Sequence, residues 1–184
     1  MDIIKTKLFG VKVIKPNVFG DSRGFFKETF QKERYHEAGI TLPFVQDNYS
    51  RSEQGVLRGL HTQKKYPQGK LVSCLMGNIY DVVVDINLKS PTFGEYFGIE
   101  LSGENHLQLW IPPGYAHGFC VLSKVADFFY KCTDLYYPDD EGGIAWNDNQ
   151  VKINWPITNP KLSKKDLELP TLDQIILNSK QKDS

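Results

Sequence analysis

One imidazole and two cationic side chains lie close together in the sequence, around a predicted pair of strands. His61 and Arg58 belong to the segment VLRGLHTQ at residues 56–63, and Lys70 follows in QGKLV at residues 68–72. A free histidine has a pKa of about 6.5, which makes it a natural general base near neutral pH. Arginine and lysine can hold an anion. These residues are therefore typical of a site that moves a proton beside a bound anion.

A second histidine lies in a glycine-rich connection between two apolar runs. His117 belongs to LWIPPGYAHGF at residues 109–119, where glycine lets the backbone approach a ligand closely. The segment DFFYK follows at residues 127–131 and carries Tyr130. Alternation along a strand places Tyr130 on the same face as Phe128 and Cys132, which predicts that its ring points toward the interior.

The overall charge indicates that any anion site is a local pocket. The chain has 22 basic and 22 acidic residues and a formal net charge of +0. This balance argues against nucleic acid or an anionic membrane surface as the main partner. The first residues include no apolar signal region, and no apolar run is long enough to cross a bilayer. We therefore expect a cytoplasmic protein.

The three cysteines favour neither disulfides nor zinc. Cys74, Cys120 and Cys132 are odd in number, lack Cys-x-x-Cys spacing and lie within apolar segments. We expect small core residues in a reducing compartment. A length of 184 residues suits one domain over residues 1–184, with residues 178–184 as a polar, frayed tail.

The hydrophobic pattern predicts an all-β fold. A helix is expected over Glu28–Ala38, ended by Gly39, and a helical turn over Ser163–Leu167. Gly77-Asn78 is a two-residue hairpin signal between two apolar runs. The turn spacing is that of a barrel or sandwich. The predicted strands cover residues 11–15, 71–76, 79–86, 96–101, 107–111, 118–122 and 127–133.

Several separate motifs occur together and in one order. They are RGFFKE at residues 23–28, QDN at 46–48, SPTFG at 90–94 and WND at 146–148, besides the segments around His61, His117 and Tyr130. From about Phe9 to about Asp173 the chain resembles the dTDP-4-dehydrorhamnose 3,5-epimerases, which are cofactor-free sugar-nucleotide epimerases of the cupin superfamily.

The resemblance implies a fold, a reaction and an assembly. The fold is a cupin-type jelly roll, or double-stranded β-helix, with short peripheral helices. The reaction inverts C3 and C5 of dTDP-4-dehydro-6-deoxy-D-glucose through an enolate, giving dTDP-4-dehydro-L-rhamnose for deoxysugar biosynthesis. It needs no cofactor and no metal. The enzyme is expected to be a homodimer in which Arg23 serves the neighbouring subunit's site.

The resemblance also implies residue roles. His61 is the base, Asp166 its carboxylate partner, Lys70 the group that holds the enolate, and Tyr130 the acid on the far face. Arg23 and Arg58 suit a pyrophosphate because guanidinium offers planar, paired donors. Tyr136 stacks on the thymine, and His117 hydrogen-bonds the sugar or its anion. Further residues line the nucleotide or sugar site: Phe26, Glu28, Gln46, Asp47, Asn48, Glu141 and Lys165.

Other interpretations remain open at this point. Ser163-Lys164-Lys165-Asp166 is also a capping-box pattern, in which Asp166 only closes a helix start. A metal-dependent cupin enzyme is a rival, although its paired His-x-His is replaced by His61-Thr62-Gln63. A carbohydrate-binding cupin without turnover is another. Within the family, an enzyme that inverts only C3 or only C5 of a related sugar is the third.

Overall fold

Two antiparallel β-sheets face each other, with short helices packed around them. The computed structural model describes residues 1–180. The helices are α1 (Lys32–Glu37), α2 (Lys164–Leu167) and α3 (Leu172–Lys180). The strands are β1 (Asp2–Lys5), β2 (Lys12–Lys15), β3 (Val18–Asp21), β4 (Gly24–Lys27), β5 (Gln46–Glu53), β6 (Leu57–Gln63), β7 (Lys70–Met76), β8 (Asn78–Asp85), β9 (Tyr96–Ser102), β10 (Gln108–Ile111), β11 (Tyr115–Val121), β12 (Val125–Cys132) and β13 (Glu141–Gly143).

The two sheets enclose one main core. The six-stranded sheet has the order β1-β2-β10-β7-β12-β5, and the five-stranded sheet has the order β13-β6-β11-β8-β9. Val72 and Phe128 from the first sheet pack in the same cluster as Val83, Phe119 and Val121 from the second. Strands β3 and β4 form a separate two-stranded hairpin. The all-β prediction is therefore confirmed.

The predicted hairpin at Gly77-Asn78 is wrong. Strands β7 and β8 flank this position but belong to different sheets, so the chain crosses from one sheet to the other there. Gly77 has a φ of +80°, and a Cβ on it would lie 2.2 Å from the carbonyl oxygen of Val125. Glycine suits a sharp crossover as well as a tight hairpin turn, because both use positive φ.

The helices cover apolar surface on the outer faces of the sheets. Residues near α1, such as Tyr35 and Ile40, pack with Leu71 and Trp110 of the six-stranded sheet. Leu172 of α3 packs with Val82, Val84 and other residues on the outer face of the five-stranded sheet. Strand β8 is consequently buried on both faces.

Two helix predictions need correction at their boundaries. Helix α1 begins at Lys32 and not at Glu28, because the Gln31 side chain accepts a hydrogen bond from the Arg34 amide and caps the helix there. Gly39 follows the helix end with a φ of +77°, as predicted. Residues 178–180 belong to α3 instead of a frayed tail, and the rest of the predicted tail lies outside the described residues.

The cysteines and the membrane expectation can be compared directly with the structure. Cys74, Cys120 and Cys132 are free and buried, as predicted. Among residues 1–180, no helix has the length and apolar character needed to cross a membrane.

Candidate active site

A cavity of about 550 Å³ lies between the sheets and collects the predicted chemical groups. His61 of β6 and His117 of β11 reach it from the five-stranded sheet. Lys70 of β7 and Tyr130 of β12 reach it from the six-stranded sheet. The sandwich therefore presents a basic nitrogen and a phenol hydroxyl from opposite walls of one cavity.

His61 is paired with a buried carboxylate. Its Nε2 lies 2.5 Å from Oδ1 of Asp166, while the Asp166 amide donates to the Ser163 hydroxyl at 3.1 Å. Asp166 thus occupies the third position of a capped helical turn and also contacts the imidazole, so the two roles are compatible. Burial raises the pKa of Asp166, but the hydrogen bond to His61, the imidazolium charge and the Ser163 contacts outweigh it and hold the pKa below the ordinary value.

The charge state of Asp166 fixes which histidine nitrogen is free. An ionised carboxylate only accepts hydrogen bonds, so Nε2 of His61 carries the proton toward Asp166. Nδ1 then keeps a lone pair that can accept a proton from a ligand. Glu141 lies farther away, with its Oε1 at 3.8 Å from Nε2 of His61.

Lys70 brings an unpaired positive charge to the cavity. Its ammonium makes no hydrogen bond or ion pair within residues 1–180. Burial lowers the pKa of Lys70, and the nearby Cys132, Glu141 and Asp81 only partly offset this effect. An anion placed in the cavity would find a desolvated ammonium, where the attraction is stronger than in water.

The Tyr130 hydroxyl is protonated at neutral pH. Burial, with smaller contributions from Cys132 and Glu141, raises the pKa of Tyr130 to about 12. The ring packs beside Phe128, with ring centroids 5.4 Å apart, and shares its strand face as the alternation predicts. Tyr130 can therefore give a proton to an ionised neighbour in the cavity.

His117 forms a second pair with a carboxylate, deeper in the fold. Both oxygens of Asp81 lie 3.0 Å from Nε2 of His117, and both residues are buried. In the β6–β11 ladder His117 stands opposite His61. Asp81 was missed from the sequence because its alternation with Tyr80, Val82 and Val84 indicates a polar outer face. Since β8 is buried on both faces, Asp81 points inward.

Three charged or aromatic side chains form a connected group at the cavity rim. The Glu141 carboxylate accepts hydrogen bonds from the Tyr136 hydroxyl and the Lys165 ammonium. Burial raises the pKa of Glu141, but these two contacts and the His61 charge outweigh it and lower the pKa overall. The Arg58 Nε donates to the buried Ser52 hydroxyl at 3.0 Å, which leaves the outer guanidinium nitrogens free to bind a ligand.

Comparison with known proteins identifies the family. Residues 5–174 match the family described as dTDP-4-dehydrorhamnose 3,5-epimerase. A protein of that name from Shigella flexneri is 53% identical over 169 residues, which cover 91% of this chain and 93% of the relative. The chain belongs to the dTDP-4-dehydrorhamnose 3,5-epimerase family. The resemblance inferred from the motifs is confirmed.

Solved structures of this epimerase family share the fold. The dTDP-6-deoxy-D-glucose-3,5-epimerase from Legionella pneumophila Philadelphia 1, in complex with dTDP-4-keto-L-rhamnose, has 55% identity and a TM-score of 0.91. The match covers 94% of this chain and 93% of that one. The Bacillus anthracis str. Ames epimerase with TDP and PPi bound has 45% identity and a TM-score of 0.90, over 92% and 98% of the two chains. The predicted jelly roll is confirmed.

The remaining predicted site residues fall into two groups. Asn48 pairs with Tyr130 across the β5–β12 ladder, and the Gln46 side chain accepts a hydrogen bond from the Tyr136 amide at 3.0 Å, so both lie near the cavity. Asp47 instead forms a salt bridge with Lys131, at 2.8 Å. Three more predicted residues line no part of this cavity in a single chain: Arg23, Phe26 and Glu28.

Some lining residues were not predicted. Lys161 and Leu162 precede α2 and reach the cavity with Phe119 and Ser50. Lys161 gives no sequence signal, because an isolated lysine is usually a solvated surface group. As for metals, residues 1–180 contain no group of three histidine, cysteine or acidic side chains that could hold an ion.

Proposed function

We propose that this enzyme inverts C3 and C5 of dTDP-4-dehydro-6-deoxy-D-glucose by proton transfer between two opposite walls of the cavity. The observation that carries this proposal is the placement of His61, with its Asp166 partner, on one sheet and of Tyr130 on the other. Epimerisation must remove a proton from one face of a carbon and return one to the other. Groups on facing sheets meet that requirement.

The reaction proceeds through an enolate. The 4-keto group acidifies the hydrogens on the carbons beside it, because the resulting anion delocalises onto the carbonyl oxygen. Nδ1 of His61 takes the proton, and Asp166 stabilises the imidazolium that forms. The Lys70 ammonium supports the charge on the oxygen. Tyr130 then protonates the carbon from the opposite side, and solvent restores its proton.

The rim binds the nucleotide. Arg58 and Lys165 carry positive charge at the cavity and suit the two phosphates, while the Tyr136 ring is 47% exposed and offers a face to the thymine. Relatives support this assignment, since the Legionella pneumophila protein was crystallised with dTDP-4-keto-L-rhamnose and the Bacillus anthracis protein with TDP. His117 from one sheet and Asn48 from the other contact the sugar.

The active form is a homodimer. The β3–β4 hairpin exposes Phe19, Phe25 and Phe26 to 63%, 58% and 69%, an apolar surface that a second copy would cover. Within residues 1–180, the hydrogen bonds of Arg23 at its tip go only to Asp21 of the same turn. Because the hairpin lies apart from its own cavity, Arg23, Phe26 and Glu28 serve the site of the neighbouring subunit.

Proton exchange with solvent tests the reaction directly. The enzyme is incubated with dTDP-4-dehydro-6-deoxy-D-glucose in deuterated water, and NMR locates the deuterium. We expect deuterium at both C3 and C5 with inversion at both, and no exchange with His61→Asn. Deuterium at one carbon only would establish a single-position epimerase. Exchange that stops with a chelator and returns with one divalent ion would instead favour the metal-dependent enzyme.

A further inference from the structure

Two loops beside Tyr136, which lies at the cavity rim, are joined by a buried glutamine. The first loop, residues 64–69, connects β6 to β7, and the second, residues 133–140, follows β12. Gln63 is buried at 5% exposure at the end of β6. Its side-chain amide donates to the carbonyls of Tyr66 at 2.7 Å and Leu135 at 3.0 Å. Its oxygen accepts from the Tyr137 amide at 2.8 Å.

Two further contacts tie the same loops together outside Gln63. The Asp140 carboxylate accepts from the amides of Lys65 and Tyr66, at 2.8 Å and 2.9 Å. The rings of Tyr66 and Tyr137 pack with centroids 4.4 Å apart. We call the set Gln63, Tyr66, Tyr137 and Asp140 the rim brace.

The rim brace holds the backbone on both sides of Tyr136. Gln63 binds the carbonyl of Leu135 and the amide of Tyr137, the residues that flank Tyr136. The Tyr136 amide itself donates to Gln46. Gln63 does not line the cavity, so it meets a ligand only through the residues it holds. When the backbone is already ordered, an exposed ring stacks on a base at a smaller cost in conformational entropy than a ring on a mobile loop.

We propose that Gln63 is a positioning residue for the nucleotide, because it holds the Tyr136 ring in the orientation that stacks on the base. This inference rests on the proposed function, in which Tyr136 receives the thymine. Gln63 acts on affinity and not on the proton transfers, since its contacts are with the rim loops and none is with His61, Lys70 or Tyr130.

Replacement of Gln63 tests the inference by comparing its effect on substrate binding with its effect on turnover. Gln63→Leu keeps a side chain of similar size, although one bond shorter, and removes all three hydrogen bonds. We expect the Kd for dTDP, measured by calorimetry, and the KM to rise roughly five- to tenfold, with kcat changed by less than about twofold. Gln54→Leu is the matched control, because Gln54 also donates to a backbone carbonyl, that of Leu122, but on a remote loop. A fall in kcat with unchanged KM overturns the inference.

A double-mutant cycle shows whether Gln63 works through Tyr136. In a Tyr136→Ala background, Gln63→Leu should change the Kd for dTDP by less than about twofold, because the ring it positions is gone. The full five- to tenfold effect in that background contradicts the inference. If Tyr136→Ala alone leaves the Kd unchanged, the stacking role in the proposed function fails. If Tyr136→Ala weakens binding and Gln63→Leu does not, only the positioning role fails.

If Gln63→Leu does not fold, Asp140→Ala provides a second test of the inference. It removes the outer contacts of the rim brace at a partly exposed position, so the core stays intact. We expect a smaller rise in the Kd for dTDP, about two- to fivefold, with kcat retained. An unchanged Kd for this variant overturns the inference.

Discussion

Asp166 caps a helical turn and contacts His61 from one position. Its amide is bound by the Ser163 hydroxyl, and its carboxylate is bound by His61. Sequence patterns predict only the helix cap, because a capping box is formed by neighbouring residues. They do not predict that Asp166 contacts His61, which lies 105 residues away in the chain. The resemblance supplied the partner, and the geometry shows that neither role excludes the other.

The two tasks of Asp166 can be separated by substitution. Asp166→Asn should fold and retain binding but slow deuterium exchange by about 10²- to 10⁴-fold, because a neutral amide neither fixes the imidazole tautomer nor stabilises the imidazolium. Ser163→Ala removes only the cap and should cost about 1 kcal/mol of stability. The two variants are compared by thermal melting and by NMR exchange. If Asp166→Asn lowers the melting temperature and exchange stays at the wild-type rate, the carboxylate serves only the cap.

The buried ammonium of Lys70 should reduce the stability of the folded protein while serving the role proposed for it. An unpaired ammonium in a desolvated position disfavours the folded state, so Lys70→Met should raise the melting temperature by about 2–4 °C for each 1 kcal/mol recovered. The same variant should lose roughly 10²- to 10³-fold in turnover, since the enolate loses its charge partner. Lys89→Met, at an exposed loop position, is the control and should change neither quantity. A destabilised Lys70→Met would show that the ammonium has a stabilising partner.

Substitution of Tyr130 tests whether its hydroxyl donates the proton on the side of the sugar ring opposite His61. Its pKa of about 12 keeps the hydroxyl protonated, and Tyr130→Phe removes only that donor. His61 should still form the enolate and return a deuteron to the face it came from, so NMR should detect exchange with little inversion. Equal loss of exchange and inversion at both carbons would indicate that Tyr130 positions the substrate.

At the scale of elements, the more apolar strands were predictable but the sheets they join were not. The apolar runs that became β7, β8, β11 and β12 were recognised from composition and turn spacing. The sheet that β8 joins depends on its pairing with the next strand, β9, and with β11, which lies farther along the chain. Six strands were not predicted: β1, β3, β4, β5, β6 and β13. Of these, β5 and β6 mix charged and small residues with few β-branched ones.

The crossover between the two sheets requires glycine at position 77. Gly55 has the same φ of +80° with open space around it, so Gly55→Ala should cost only the backbone strain, about 1–2 kcal/mol. Gly77→Ala adds the close approach to Val125 and should cost about 1–3 kcal/mol more. Denaturant unfolding of both variants measures the difference. Equal losses would mean that the crossover can open by small shifts.

At the scale of the whole molecule, one chain brings together the residues proposed for proton transfer but not all of those proposed for anion binding. His61, Lys70 and Tyr130 converge in the cavity, whereas Arg23 lies on a hairpin with exposed phenylalanines. A single sequence contains no information on which copy a side chain serves, since both copies have the same residues. The homodimer and the sharing of Arg23 therefore need an experiment on mixed subunits.

Mixing two inactive variants tests whether the sites are shared. His61→Asn lacks the base and Arg23→Ala lacks the hairpin guanidinium, so each homodimer should be nearly inactive. If Arg23 serves the neighbouring subunit, a mixed dimer has one site with both residues intact. Refolding the two variants together at equal amounts should then restore about a quarter of the wild-type activity, because half of the dimers are mixed and each has one working site. Turnover that stays at the level of the separate variants would place Arg23 in the site of its own chain.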